Sequence, residues 1–131
     1  MNIIDSDRYE MMQHCNLLVV TSGTATIETA YIGTPFIIVY KTSKISYFVG
    51  KKLIKINRIG LPNIVMDKSI IPELIQDEVN PINIAENMKV ILNSKIEYER
   101  ISTDLMNLHD ILGSKSVSSE VSRIIEELIN E

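Results

Sequence analysis

Apolar positions along the chain follow two different periods. Leu17–Val20 and Phe36–Ile37–Ile38–Val39–Tyr40 are continuous apolar runs of strand length, the pattern of parallel strands covered on both faces. Helical spacing takes over between and after them. Ile27, Ala30 and Tyr31 place one apolar face toward a sheet, and Gly33 ends that helix. Ile84, Ala85, Met88, Ile91 and Leu92 form a second stripe after the Asn80-Pro81 turn. A break at Asn93-Ser94 precedes a third stripe of Tyr98, Ile101, Leu105, Leu108 and Leu112. Gly113-Ser114 separates it from a fourth, built on Val117, Val121, Ile124 and Leu128. Asp7 to His14 reads as a short helix capped by Asp5 or Ser6, with Met11, Met12 and Cys15 filling core space. Ile59 to Val65 reads as a short strand running into a loop. Ile71 to Gln76 reads as the start of a helix capped by Ser69. The pattern predicts one α/β domain with parallel strands near 17–20, 36–40 and 58–61 and a helical C-terminal region.

Composition adds bounds. At 131 residues, 45% hydrophobic and 23% charged, the chain has the make-up of one ordinary globular domain. A single cysteine, Cys15, forms no internal disulfide, which points to a reducing compartment. The sequence shows no secretory leader and no apolar run near 18 residues, so a cytoplasmic location is expected. Neither His14 nor His109 has a partner at metal-ligand spacing. The net charge of −4 is unevenly spread: no acid occurs from Thr29 to Met66, where Lys41, Lys44, Lys51, Lys52, Lys55 and Arg58 fall. From Asp67 onward thirteen acidic residues oppose six basic ones. The balance gives no reason to expect a nucleic-acid partner.

The cationic block lies beside the one stretch that suggests chemistry. Leu17 to Pro35 reads strand, Ser22-Gly23-Thr24 turn, helix, and Thr24 or Ser22 is placed to cap that helix. A helix N-terminus at the end of a buried strand offers backbone N–H groups to an anion, and Gly23 lets a ligand approach. Such a turn is often only a helix entry. Glu28, one turn further, either favours the helix dipole or faces the ligand. Lys44 to Lys55 reads either as a solvated helix, with Gly50 weakening it, or as a basic amphipathic surface. In the second reading Lys44, Phe48, Lys51, Lys52 and Lys55 would meet anionic lipid.

The string SGTATIETAYIGTPFIIVYK, followed by LPNIV at 61–65 and PELIQDE at 72–78, resembles the C-terminal half of the lipid-A-disaccharide synthase family of GT-B glycosyltransferases. The resemblance covers nearly the whole chain and implies a Rossmann-like parallel sheet flanked by helices, the nucleotide-binding half of a GT-B fold. It implies transfer of 2,3-diacylglucosamine from UDP to an acylated glucosamine phosphate. The donor diphosphate would lie on Ser22, Gly23 and Thr24. Glu73 would accept from the ribose hydroxyls with Gln76 beside it, Asn63 would be a loop amide near the nucleotide, and Tyr40 and Lys41 would match a Tyr-Arg or Tyr-Lys pair. Neither a metal nor a cofactor beyond the UDP-sugar is implied. The helix at 7–14 has no chemical role in that family.

Family members are nearly three times longer, so a fragment, a split gene product or an excised domain is expected, with the N-terminal acceptor domain and its catalytic base absent. Met1 to Ile4 would be the end of a strand begun upstream. The isolated chain is then expected to bind donor without turnover, with peripheral contact to the inner face of the inner membrane. The alternative is a non-catalytic binding or dimerisation module, or half of a split enzyme, using the two C-terminal stripes as its interface.

Overall fold

The computed structural model describes residues 7–43 and 58–113. Helix α1 (Arg8–His14) leads into β1 (Leu18–Thr21), α2 (Thr24–Ile32) and β2 (Phe36–Tyr40). After residues 44–57 come α3 (Leu61–Val65), β3 (Glu73–Ile75), a 3-10 turn (Gln76–Glu78), α4 (Pro81–Asn93) and α5 (Lys95–Leu112). The strands form one parallel sheet in the order β1-β2-β3, with Leu18 opposite Phe36 and Ile38 opposite Glu73. Helices flank it, as expected of a Rossmann-like α/β unit.

β2 is the centre of the core. Phe36, Ile37 and Ile38 are consecutive, so they point to alternate faces, and all three are fully buried. Ile70, Ile71 and Leu74 from the β3 side, Ile91 from α4, and Ile101, Leu105 and Leu108 from α5 complete the cluster. Helix α2 packs on α1, α3 and α5, and α4 packs on α5 and β2. Asn80 and Ser94 cap α4 and α5 by accepting from Asn83 N and Glu97 N, and Gly33 closes α2 at φ 89°.

Several sequence expectations are corrected, among them the helix start read at Ile71 to Gln76, where Glu73–Ile75 is a strand. The third strand lies at 73–75, not 58–61, and Leu61–Val65 is a helix, because Gly60 and Pro62 start a helical turn whose buried side chain, Asn63, bonds back to the chain. Ser69 therefore caps nothing; its hydroxyl accepts weakly from Arg58 Nε at 3.4 Å. The N-cap residues of α2 and α1 are Gly23 and Asp7, neither with a side-chain cap bond, and Asp5 and Ser6 lie outside the described residues. Tyr31 is half exposed, and the buried residues of α2 are Thr26, Thr29 and Ala30. The threonines tolerate burial because each hydroxyl donates within its own helix, to Gly23 O at 2.6 Å and to Ala25 O at 2.8 Å, leaving methyls for packing. The fourth stripe and the basic stretch containing Lys44, Phe48, Lys51, Lys52 and Lys55 lie outside the described residues. Among the described residues no helix is long and apolar enough to cross a membrane.

Candidate functional site

Because the strands are parallel, their carboxyl ends share one edge, which gathers Ser22, Tyr40, Lys41 and Gln76. The ladder continues one residue past β1, where Ser22 N donates to Val39 O at 2.9 Å. Its hydroxyl donates to Ile59 O at 3.1 Å, fastening the turn to the chain that returns there. Gly23 follows at φ 150°, ψ −165°, a backbone region open in practice to glycine alone. Among the described residues, a side chain at Gly23 would meet nothing within 4 Å. Helix α2 starts here without a side-chain cap. Its leading N–H groups and the positive end of its dipole therefore face outward from the edge.

Lys41 is exposed directly after β2. The next residue is fixed: Thr42 N donates to Gln76 Oε1 at 2.9 Å. Gln76 makes that bond from a left-handed conformation, φ 54°, uncommon for a residue with a side chain. One turn into α2, Glu28 Oε1 accepts from the Tyr9 hydroxyl at 3.3 Å and lies 3.7 Å from the Arg8 guanidinium.

Behind the edge is a second, closed set of bonds. Asn63 is fully buried. Its Nδ2 donates to Ile71 O at 2.8 Å and Glu73 Oε1 at 2.7 Å, and its Oδ1 accepts from Ile70 N and Ile71 N at 2.9 and 3.0 Å. The amide thus has no capacity left. Glu73 also accepts from Ile59 N at 2.8 Å through Oε2 and from Gly60 N at 3.0 Å through Oε1. A Cβ on Gly60 would collide with the tip of Ile38 and stand 2.9 Å from Glu73 Oε1, so any other residue there would make both side chains shift. A cleft of about 320 Å3 opens beside this node, lined in part by Arg58 and Arg100. Both guanidiniums are already engaged, Arg58 with Asp67 at 2.6 Å and Arg100 with Glu97 at 2.6 Å and Asp104 at 3.0 Å. The bond from Arg100 is the main reason that the Glu97 carboxyl lies below its usual range.

This strand–glycine turn–helix edge occurs in a chain whose residues 1–127 match the family model described as Lipid-A-disaccharide synthetase. The chain belongs to the lipid-A-disaccharide synthase family. It is 44% identical over 127 residues to the lipid-A-disaccharide synthase of Sulfurihydrogenibium sp. (strain YO3AOP1), covering 97% of this chain and 33% of the relative. It is 44% identical over 120 residues to that of Persephonella marina, covering 92% and 32%, and 39% identical over 129 residues to that of Syntrophus aciditrophicus, covering 98% and 34%. The chain thus spans about a third of the length of the curated relatives it matches.

Of the residues marked by the synthase resemblance, Ser22, Gly23, Thr24, Tyr40, Lys41 and Gln76 come together at the carboxyl edge, and Glu28 lies one helical turn away. Glu73 and Asn63 do not join them there. Glu73 sits on a strand, opposite Ile38, and both of its oxygens hold the 59–60 backbone and the Asn63 amide. Sequence reasoning gave Gly60 and Tyr9 no role in the site. A glycine before Leu-Pro-Asn signals a tight approach, but Tyr9 carries no signal, since its contact with Glu28 spans 19 positions.

Proposed function

We propose that this chain forms the donor-nucleotide site of a lipid-A-disaccharide synthase, which transfers 2,3-diacylglucosamine from UDP to 2,3-diacylglucosamine 1-phosphate, giving the lipid A disaccharide. The observation that carries this reading is the α2 N-terminus behind the Gly23 turn, without a side-chain cap and unobstructed among the described residues, with Lys41 on the neighbouring strand end, in a chain of this family. The diphosphate binds the N–H groups of the turn, the Thr24 hydroxyl and the Lys41 ammonium, a compact charge suited to phosphate. Transfer forms a bond from the acceptor hydroxyl to the anomeric carbon and breaks the bond to UDP. The same preorganised donors then stabilise the charge growing on the departing diphosphate.

Glu28 is the carboxylate in reach of the ribose. It lies about 6 Å along the helix axis from Thr24, at a rise of ~1.5 Å per residue, the scale that separates a nucleotide's phosphates from its ribose hydroxyls. Its Oε1 has a single hydrogen-bond donor, whereas the Glu73 oxygens are taken by the chain. Asn63 and Glu73 serve as the support on which the edge stands. The rest of the enzyme supplies the acceptor site and the catalytic base. The reaction is cytoplasmic, at the inner face of the inner membrane, where the acylated substrates reside.

The test is a UDP titration of the 131-residue chain, followed by backbone amide shifts, with ADP as control. UDP-selective shifts centred on Ser22 to Glu28 and on Lys41 are expected. Lys41→Met should weaken binding by about tenfold, charge-assisted bonds being worth about 1.5–3 kcal/mol. A folded chain that shows no UDP-dependent shifts would refute the reading.

A further inference from the structure

Helix α1 was expected to be structural, yet its first turn reaches the site. Arg8 Nη2 donates to the Tyr9 hydroxyl at 2.9 Å, and the same guanidinium lies 4.8 Å from the Tyr9 ring centroid. The Tyr9 hydroxyl in turn donates to Glu28 Oε1 at 3.3 Å, and Arg8 stands 3.7 Å from that oxygen. Both contacts converge on one carboxylate oxygen. A partly exposed glutamate on a helix surface otherwise has wide rotamer freedom, which binding would have to freeze. Holding one oxygen in advance restricts the rotamers of the carboxylate and leaves Oε2 to accept from outside.

We propose that Tyr9, backed by Arg8, is a positioning residue of the donor site: its hydroxyl holds the Glu28 carboxylate in the orientation that receives the ribose diol of the bound nucleotide. This rests on the reading above that Glu28 is the ribose acceptor. Arg8 has a supporting part. It directs the phenol by donating to its oxygen, which leaves the phenolic proton for Glu28. The 7-residue helix α1 thereby ends as a strut at the carboxyl edge.

The test compares UDP with 2′,3′-dideoxy-UDP, which lacks the diol, on the full chain. Tyr9→Phe, a change at a half-exposed ring, should weaken UDP by about three- to tenfold, the scale of one net hydrogen bond, and leave the dideoxy ligand within about twofold. In a Glu28→Ala background, where no acceptor remains for the hydroxyl, Tyr9→Phe should have no further effect on UDP, since the two residues act as a unit. Equal weakening of both ligands would mean that Tyr9 only supports the fold, and would overturn the proposal. So would unchanged UDP affinity in Tyr9→Phe, or additive effects in the double variant. If the unchanged chain fails to bind UDP, the donor-site reading falls and this inference falls with it. UDP binding that is insensitive to Tyr9 removes the inference alone.

Discussion

The Asn63 amide fills its four hydrogen-bonding positions within the protein, and three of the four partners are backbone groups at Ile70 and Ile71. Truncation would leave the Ile71 N–H and carbonyl without their partner, while the Ile70 N–H keeps its bond to Lys68 O at 3.0 Å. Each such loss is worth about 1–3 kcal/mol. Asn63→Ala is therefore expected to lower the unfolding free energy by about 2–4 kcal/mol in urea denaturation, with nucleotide binding lost only through unfolding. A variant as stable as the parent would show that the amide is dispensable to the scaffold. Gly60 acts on the same node by shape, since it is the point where the returning chain crosses Ile38 and Glu73. Asn63 and Glu73 thus act on the site at one remove, through the backbone they hold.

Among the elements, α5 is fastened to the rest by a polar cluster as well as by its apolar stripe. Asp104, largely buried, accepts from Lys68 Nζ at 2.9 and 3.0 Å and from Arg100 Nη1 at 3.0 Å, while Arg100 Nη2 reaches Ile70 O at 3.3 Å. Asp104→Ala takes the carboxylate from Lys68 and one of two from Arg100, which keeps Glu97, and should cost about 1–3 kcal/mol, below the ~3–5 kcal/mol of a fully buried pair because both cations reach solvent. Lys68→Met should cost less than about 1 kcal/mol, its side chain being 55% exposed. Thermal unfolding of both variants checks this order, and a larger loss from Lys68→Met would reverse the account. The long elements of this layer were legible in the sequence: β1, β2, α4 and α5 follow from clear periods, and the Asn80, Ser94 and Gly113 boundaries from residue chemistry. β3 was not. Three residues preceded by a proline carry too little period to declare a strand, and the acid that opens it faces bonds visible only in three dimensions. The carboxyl-edge turn was legible because glycine and strand order lie within one short stretch. The Tyr9–Glu28 contact was not, because it depends on how α1 lies against α2.

At the scale of the whole molecule, acid should loosen the fold through identifiable groups. Glu97 is held below its ordinary pKa of 4.5, first by the hydrogen bond from Arg100, against opposing desolvation. A folded-state value below the unfolded one means stability that is fully present above about pH 4.5 and lost as pH falls through the lowered value. Glu97→Gln should accordingly flatten the fall of Tm below that pH and leave the slope between pH 6 and 8 unchanged, about where carboxylates no longer titrate. Calorimetry across the two ranges tests it, and an unaltered acid limb would assign the loss to other carboxylates. The two ends of the stretch between β2 and α3 have a different consequence. Thr42 is clasped by Gln76 and Ile59 by Glu73, and Ser22 grips the Ile59 carbonyl. Both described ends of the chain there are thus tied to β3 and to the Ser22 turn, so a change at Glu73 or Gln76 is felt at the carboxyl edge as well as in the sheet.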